Sequence, residues 1–254
     1  MPENIFDIRE KVIVLTGGSR GLGAAFAKRL AEYGAKIVVL DIEEIGGSAV
    51  ITEIRGKGRD AIFIKTDIVN KDEVQAAADK VIAEYGRVDV LVNNATAMSR
   101  ASILDMDDKE WDEVLAVAPK GAFLCSQAFG RYMIKQGKGK IIHISSIVGF
   151  IGMNHRLAYC ASKGAINQMT KAMAIEWAPY HINVNAIAPS YIDTELTHHL
   201  FEQAEFYQFI MNNTPLKKIL DPDDLLGALL FLASSASDMV TGHVLLVDGG
   251  WVAQ

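Results

Sequence analysis

A doubly wound α/β domain, with a largely parallel sheet and helices on both faces, is what this sequence predicts, on three observations. Short apolar runs alternate with helix-length segments over all 254 residues, and such alternation gives parallel strands joined by right-handed crossovers. The first run, Lys11–Thr16, enters a glycine-rich turn that opens directly into a helix-forming segment, the arrangement of a Rossmann-type sheet. No repeat, linker or low-complexity tract breaks the pattern, so residues 1–254 read as a single domain.

The elements follow in order. After the strand Lys11–Thr16 comes Gly17-Gly18-Ser19-Arg20-Gly21-Leu22-Gly23, then a helix over Ala24–Tyr33. Strand, glycine turn and helix together form a phosphate cradle, because glycines admit the ligand and the helix N-terminus offers free N–H groups. The second strand, Lys36–Leu40, ends at Asp41, followed by Ile42. A carboxylate there accepts the adenosine ribose hydroxyls of NAD and repels the 2′-phosphate of NADP, while Arg20 pulls toward NADP. Capping of the next helix is the competing role for Asp41. NAD is therefore the expected cofactor, with NADP possible.

Ala61–Asp67 is a third strand ending in a carboxylate before Ile68, and Asp72–Tyr85 a helix. Val88–Val92 leads to Asn93-Asn94-Ala95. Asp107–Gln136 reads as a long helix interrupted at Ala118-Pro119, and Ile141–Ser145 as a buried strand. A helix carries Tyr159 and Lys163. The sixth strand, Ile182–Ile187, is followed by Pro189. Thr194–Asn213 is amphipathic and aromatic, so that residues 190–215 form either a substrate lid or an extra packing helix. Pro222–Ser234 is a helix and Val244–Gly250 the last strand.

Composition excludes several classes. There are 25 Lys and Arg against 31 Asp and Glu, a net charge of −6, with no basic block. Nucleic acid is therefore not the expected partner. Two cysteines, Cys125 and Cys160, give no disulfide framework, and no His, Cys and Glu pattern suggests a metal. The N-terminal residues Met1–Asp7 lack the character of a signal peptide, and no apolar stretch reaches membrane-spanning length. A cytoplasmic protein without a membrane partner is expected.

Tyr159 and Lys163 share one helical face. Lowering a phenol from about 10 to roughly 7 takes about 4 kcal/mol. An ammonium ~5 Å away supplies about 3 kcal/mol at an effective dielectric of ~20. Lys163, helped by a cationic nicotinamide, is thus expected to make Tyr159 a base near neutrality, with Ser146 holding the substrate oxygen.

These motifs, in this order and spacing, resemble the short-chain dehydrogenases/reductases along nearly the whole chain. They are Thr16-Gly17-x3-Gly21-x-Gly23, Asp67, Asn93-Asn94-Ala95, Ser146, Tyr159-x3-Lys163, Pro189 with Thr194, and a closing Val-Asp-Gly-Gly. The resemblance implies hydride transfer between NAD or NADP and a secondary alcohol or ketone. Ser146, Tyr159 and Lys163 would be catalytic. Gly17, Ser19, Arg20, Gly21, Leu22, Gly23, Asp41, Ile42, Asp67, Ile68, Asn94, Ala95, Tyr159, Lys163, Pro189, Ile192 and Thr194 would hold the cofactor, with Asn93 steadying the sheet and the adenosine side. A homotetramer or homodimer is implied; Phe123, Phe129, Met169 and Trp177 are compatible with such a face, and burial in the core explains them equally.

Two departures stand out. Ala118-Pro119 replaces the family's Asn-Leu, whose asparagine completes a catalytic tetrad at a helix kink. A backbone carbonyl near Ala118 is expected to keep the kink's function. Thr96 and Ser190 stand where glycines are usual, and narrow the site. The C-terminal half looks most like members acting on sugar acids and polyols, such as gluconate 5-dehydrogenases. The alternatives are a 3-oxoacyl thioester reductase and a dinucleotide-binding regulatory protein that has lost activity. Candidate pocket residues are Ser99, His155, Arg156, Tyr191 and His198, with Arg156 a possible carboxylate clamp. His143, His198 and His199 read as structural rather than metal ligands.

Overall fold

The structure, a computed structural model, describes residues 4–254. Residues 1–3, the start of the N-terminal stretch considered above, lie outside the described residues. Seven strands form one sheet: β1 Val12–Thr16, β2 Lys36–Asp41, β3 Ala61–Lys65, β4 Val90–Asn93, β5 Gly139–Ile144, β6 Ile182–Pro189 and β7 Val244–Val247. Their spatial order is β3-β2-β1-β4-β5-β6-β7, and every pairing is parallel. The order reverses between β1 and β4, which opens a crevice at the carboxyl ends of the strands.

Because parallel strands are covered on both sides, β1 and β4 are apolar at successive positions and fully buried. On one face pack α1 Gly21–Glu32, α2 Glu44–Gly56 and α9 Leu226–Ala233, around Ile13, Leu15, Ile37, Val39, Phe26 and Leu30. On the other lie α3 Lys71–Tyr85, α5 Gly121–Gln136 and α6 Leu157–Trp177, around Val14, Val38, Leu91, Ile141, Phe129 and Met133. A third, smaller cluster sits above the carboxyl ends of the strands and joins Ile147, Val148, Ile210 and Trp251 to Tyr159, Tyr191 and Phe206.

The expected interruption at Ala118-Pro119 is present, and two other elements differ from expectation. The long helix is divided into α4 Asp108–Leu115, a π-turn over Ala116–Lys120, and α5. Pro119 offers no N–H, and the Gly121 N–H reaches back five residues to the Ala116 carbonyl. The amphipathic segment is two short helices, α7 His198–Phe201 and α8 Ala204–Asn213, rather than one. Phe201 and Phe206 stack with centroids 6.1 Å apart, which a continuous helix would prevent, because residues five apart lie well round the helix from each other. The last strand stops at Val247, since Gly249 and Gly250 turn the chain. Among the described residues no helix is long and apolar enough to cross a membrane.

Candidate active site

Ser146 follows β5 and caps a short 3₁₀ turn, accepting the Val148 N–H at 3.4 Å. Tyr159 and Lys163 lie on successive turns of α6. Lys163 is buried; its Nζ donates to the Ile144 carbonyl at 2.8 Å and stands 5.4 Å from the centroid of the Tyr159 ring. Ser145 faces the interior, its hydroxyl donating to Asn167 Oδ1 at 2.5 Å. Ser146 is therefore the member of the pair on the Tyr159 side, where it opposes the upward push of burial on the phenol.

Without a cofactor, burial dominates the electrostatics of both groups. Burial pushes the Tyr159 phenol up to about 12, against the opposing effects of the Ser146 hydrogen bond and the Arg156 charge. Burial likewise pushes the Lys163 ammonium down to about 8. Desolvation disfavours both charged forms. In the protein alone Tyr159 is thus a neutral phenol at ordinary pH, suited to giving a proton.

The glycine loop fits a dinucleotide. No side chain caps the N-terminus of α1, and its first turn carries no acidic residue, leaving the first N–H groups and the positive dipole end for a phosphate. Gly21 has φ +54°, and a Cβ there would meet no atom except the Leu196 side chain. At Gly23 a Cβ would collide with the Gly17 carbonyl and the Asn94 amide, so close packing of α1 on β1 requires this glycine. Asn94 ties the loop to the sheet: its Nδ2 donates to the Thr16 and Gly17 carbonyls, each at 3.0 Å. Ala95 packs directly against Gly17.

Asp41 is partly engaged by the protein itself, accepting the Ser19 N–H at 3.0 Å and the Glu43 N–H at 3.1 Å. The cap of α2 is Glu43, not Asp41. Arg20 is exposed, with no carboxylate partner among the described residues. Leu22 is half-buried against the core, and Ile42 is 64% exposed, free to flank an adenine. Asp67 accepts the Val69 N–H at 3.0 Å. The Ile68 side chain is turned into the core against Gly121, which leaves its backbone alone for a ligand. Asn93 likewise points inward, to Ser126 at 3.1 Å and His143 at 3.2 Å, and so steadies the sheet.

At the nicotinamide end the Pro189 carbonyl lies 3.5 Å from Ser146 Oγ. The Ile192 carbonyl accepts the Thr197 hydroxyl at 2.6 Å, and Thr194 and Thr197 share a hydroxyl contact at 3.0 Å. The Ile192 N–H and the Thr194 side chain remain the groups able to meet a carboxamide.

Arg156, at the start of α6, donates to the Ser99 carbonyl at 3.2 Å and lies within electrostatic reach of Tyr159, Tyr191 and Arg100. Arg100 also acts on Tyr191. Through its bond to Ser99, Arg156 is held beside the backbone next to the exposed Arg100. Sequence reasoning missed Arg100, which stands in the irregular segment between β4 and α4, where no periodicity marks it. Tyr191 joins the site, its hydroxyl donating to Met153 Sδ at 2.9 Å. His198 does not: it is exposed and paired with Asp193 at 3.0 Å. Ser99 is fully buried, and His155 takes a left-handed φ of +53° just before Arg156. Among the described residues no three His, Cys, Asp or Glu side chains converge as a metal site.

Comparison with known proteins agrees with this arrangement. The family model described as short chain dehydrogenase matches residues 11–205. The chain is 37% identical to the 5-keto-D-gluconate 5-reductase of Escherichia coli (strain K12), over 97% of each chain. It is 40% identical to the 2-dehydro-3-deoxy-D-gluconate 5-dehydrogenase of Formosa agariphila, over 100% of this chain and 97% of that protein. The crystal structure of a gluconate 5-dehydrogenase from Burkholderia cenocepacia J2315, in complex with NADP and tartrate, superposes with a TM-score of 0.94 at 37% identity, covering 98% of each chain.

Proposed function

The chain belongs to the short-chain dehydrogenase family of NAD(P)-dependent oxidoreductases acting on CH–OH groups, and from that premise we propose that its substrate is a sugar acid, oxidised at a secondary hydroxyl or formed from the keto acid. The observation that carries this reading is Arg156, three residues before Tyr159, whose guanidinium donates to the Ser99 carbonyl at 3.2 Å and so lies next to a second arginine, Arg100. Arginine binds carboxylates through paired, charge-assisted hydrogen bonds, and a carboxylate is what a sugar acid offers in addition to its hydroxyls. The relatives that act on gluconate derivatives, and the related enzyme crystallised with tartrate, support it. A 3-oxoacyl thioester has no carboxylate to pair with these arginines. An inactive nucleotide holder would have no need of the complete trio of Ser146, Tyr159 and Lys163.

When bound, the nicotinamide supplies the carbon that exchanges hydride with the substrate carbon. Ser146 holds the substrate oxygen. Tyr159, a neutral phenol in the protein alone, gives the substrate oxygen its proton in the reducing direction and is left as the phenolate; in oxidation that phenolate, which the cation of a bound oxidised nicotinamide would favour, takes the hydroxyl proton. Lys163 would hold the nicotinamide ribose, with Gly17, Ser19, Gly21, Leu22 and Gly23 at the pyrophosphate and Asp67 and Ile42 at the adenine. Asp41 favours NAD, and the unpaired Arg20 admits NADP.

Residues 190–215 act as the substrate lid. Assembly as a homotetramer or homodimer is supported by apolar side chains left exposed on two helices, Phe123 on α5 and Ile175 on α6. Phe129 is not part of such a face, being fully buried, and Trp177 packs against Gly130. A cytoplasmic location is consistent with two unpaired cysteines.

The test is to mix the protein with NAD or NADP and a panel of aldonic acids, keto acids and neutral polyols, and to follow reduced-cofactor absorbance. Turnover confined to the acids supports the reading; turnover of neutral alcohols alone, or none, rejects it.

A further inference from the structure

Trp251 opens a short turn, Trp251–Ala253, after β7. The turn is built rather than loose. Asp248, itself buried, accepts the Gly250 N–H at 2.9 Å and the Val252 N–H at 2.8 Å through its two carboxylate oxygens. The result drives the Trp251 ring, 6% exposed, between the two ends of the segment over the site. One neighbour is Tyr191, at the entry of that segment, with centroids 5.6 Å apart and planes at 46°. The other is Phe209 on α8, at its return, with centroids 5.6 Å apart and planes at 67°. Phe206 meets Tyr191 edge-on at 5.3 Å, and Gln254 Nε2 donates to the Asn213 carbonyl at 2.7 Å, a second tie to the end of α8.

We propose that Trp251 is a positioning residue for Tyr191 and the lid, and thereby a determinant of substrate affinity. The inference rests on the reading of Tyr191 as part of the substrate pocket. Tyr191 is held from two sides: its hydroxyl by Met153 Sδ and its ring by Trp251 and Phe206. Contacts of this edge-on and tilted kind fix a ring's orientation as well as burying it. Removing the indole frees Tyr191 and the return of α8 together, while Ser146, Tyr159 and Lys163 keep their own supports on β5 and α6. The ground-state pocket loosens and the proton-transfer group does not move, which is the pattern of a KM effect.

The experiment uses the full chain as Trp251→Ala, Trp251→Phe and Tyr191→Ala, and as the double variant Trp251→Ala/Tyr191→Ala. The readouts are steady-state kinetics with the sugar acid found above and limited chymotrypsin digestion, which cuts after aromatic residues such as Phe201, Phe206 and Phe209 in the lid. Trp251→Ala is expected to raise KM about tenfold, ~1.4 kcal/mol, with kcat changed less than about threefold. Cleavage in the lid is expected to speed up while the rest of the chain resists. Trp251→Phe should restore both, and Trp251→Ala should raise KM by a smaller factor in the Tyr191→Ala background than in the wild type. Lid cleavage at the wild-type rate overturns the proposal, as does cleavage accelerated equally along the whole chain. Additive KM effects in the double variant also overturn it. The digestion needs no substrate, so failure of the sugar-acid reading and failure of the lid claim are told apart.

Discussion

Lys163 lies over the face of the Tyr159 ring, its ammonium 5.4 Å from the centroid, and gives its hydrogen bond to the Ile144 carbonyl. The two side chains share one helical face, as their spacing requires. Burial governs both groups, raising the tyrosine and lowering the lysine. The proton-transfer group is therefore a neutral phenol until ligands complete the site.

Arg156 and Arg100 should sort substrates by charge. Arg156→Met is expected to raise KM for the sugar acid by at least about tenfold, while kcat/KM for any neutral polyol that turns over changes little. Arg100→Met should move KM in the same direction. Equal losses for charged and neutral substrates would remove the carboxylate clamp.

Arg20 should decide how well NADP is accepted. Binding titrations are expected to show Arg20→Ala weakening NADP about tenfold and leaving NAD nearly unchanged, the loss of one exposed arginine–phosphate contact. Parallel losses for both cofactors would place Arg20 at the pyrophosphate and not at the 2′ position.

Ala118→Asn should change turnover by less than about tenfold. The backbone bend occurs without the asparagine, as the π-turn Ala116–Lys120, in which Pro119 withholds its N–H. A rise of several orders of magnitude in turnover would mean that the site is crippled by Ala118.

His143 should contribute to acid sensitivity. It is fully buried, with Nδ1 on the Asn93 amide and Nε2 without a protein partner, and burial with the nearby Lys163 charge pushes it down to about 4 from 6.5. A histidine whose folded pKa is lowered binds its proton first in the unfolded chain, so stability falls as pH drops from 6.5 to 4. The loss amounts to about 3 kcal/mol at most. Urea midpoints at pH 7 and pH 4.5 should therefore differ less for His143→Asn than for the wild type. An unchanged difference would show that His143 is protonated in the fold.

Much of this molecule is legible in its sequence, for local reasons. Runs such as Val12–Thr16 and Val90–Asn93 are apolar on both faces because parallel strands are covered on both sides. The glycine turn, Ser146, Tyr159 and Lys163 are recognisable because their chemistry depends on short spacings along the chain. What was not legible depends on distant partners. Arg100 sits in an irregular segment and acquires meaning from Arg156 on α6. Trp251 meets Tyr191 across a separation that no periodicity encodes. Asp41 read as a free carboxylate, but the Ser19 and Glu43 N–H groups bind it. The division of residues 194–213 into α7 and α8 goes with the stacking of Phe201 on Phe206 and not with a helix-breaking residue.

The most direct measurement is single-turnover hydride transfer by Tyr159→Phe beside the wild type, with cofactor binding titrated separately. Phenylalanine keeps the ring under Lys163 and removes the one proton the mechanism moves. The expected result is cofactor affinity like that of the wild type and hydride transfer slowed at least about a thousandfold. Transfer within about tenfold of the wild-type rate would contradict the assignment of Tyr159 as the acid and base of this site.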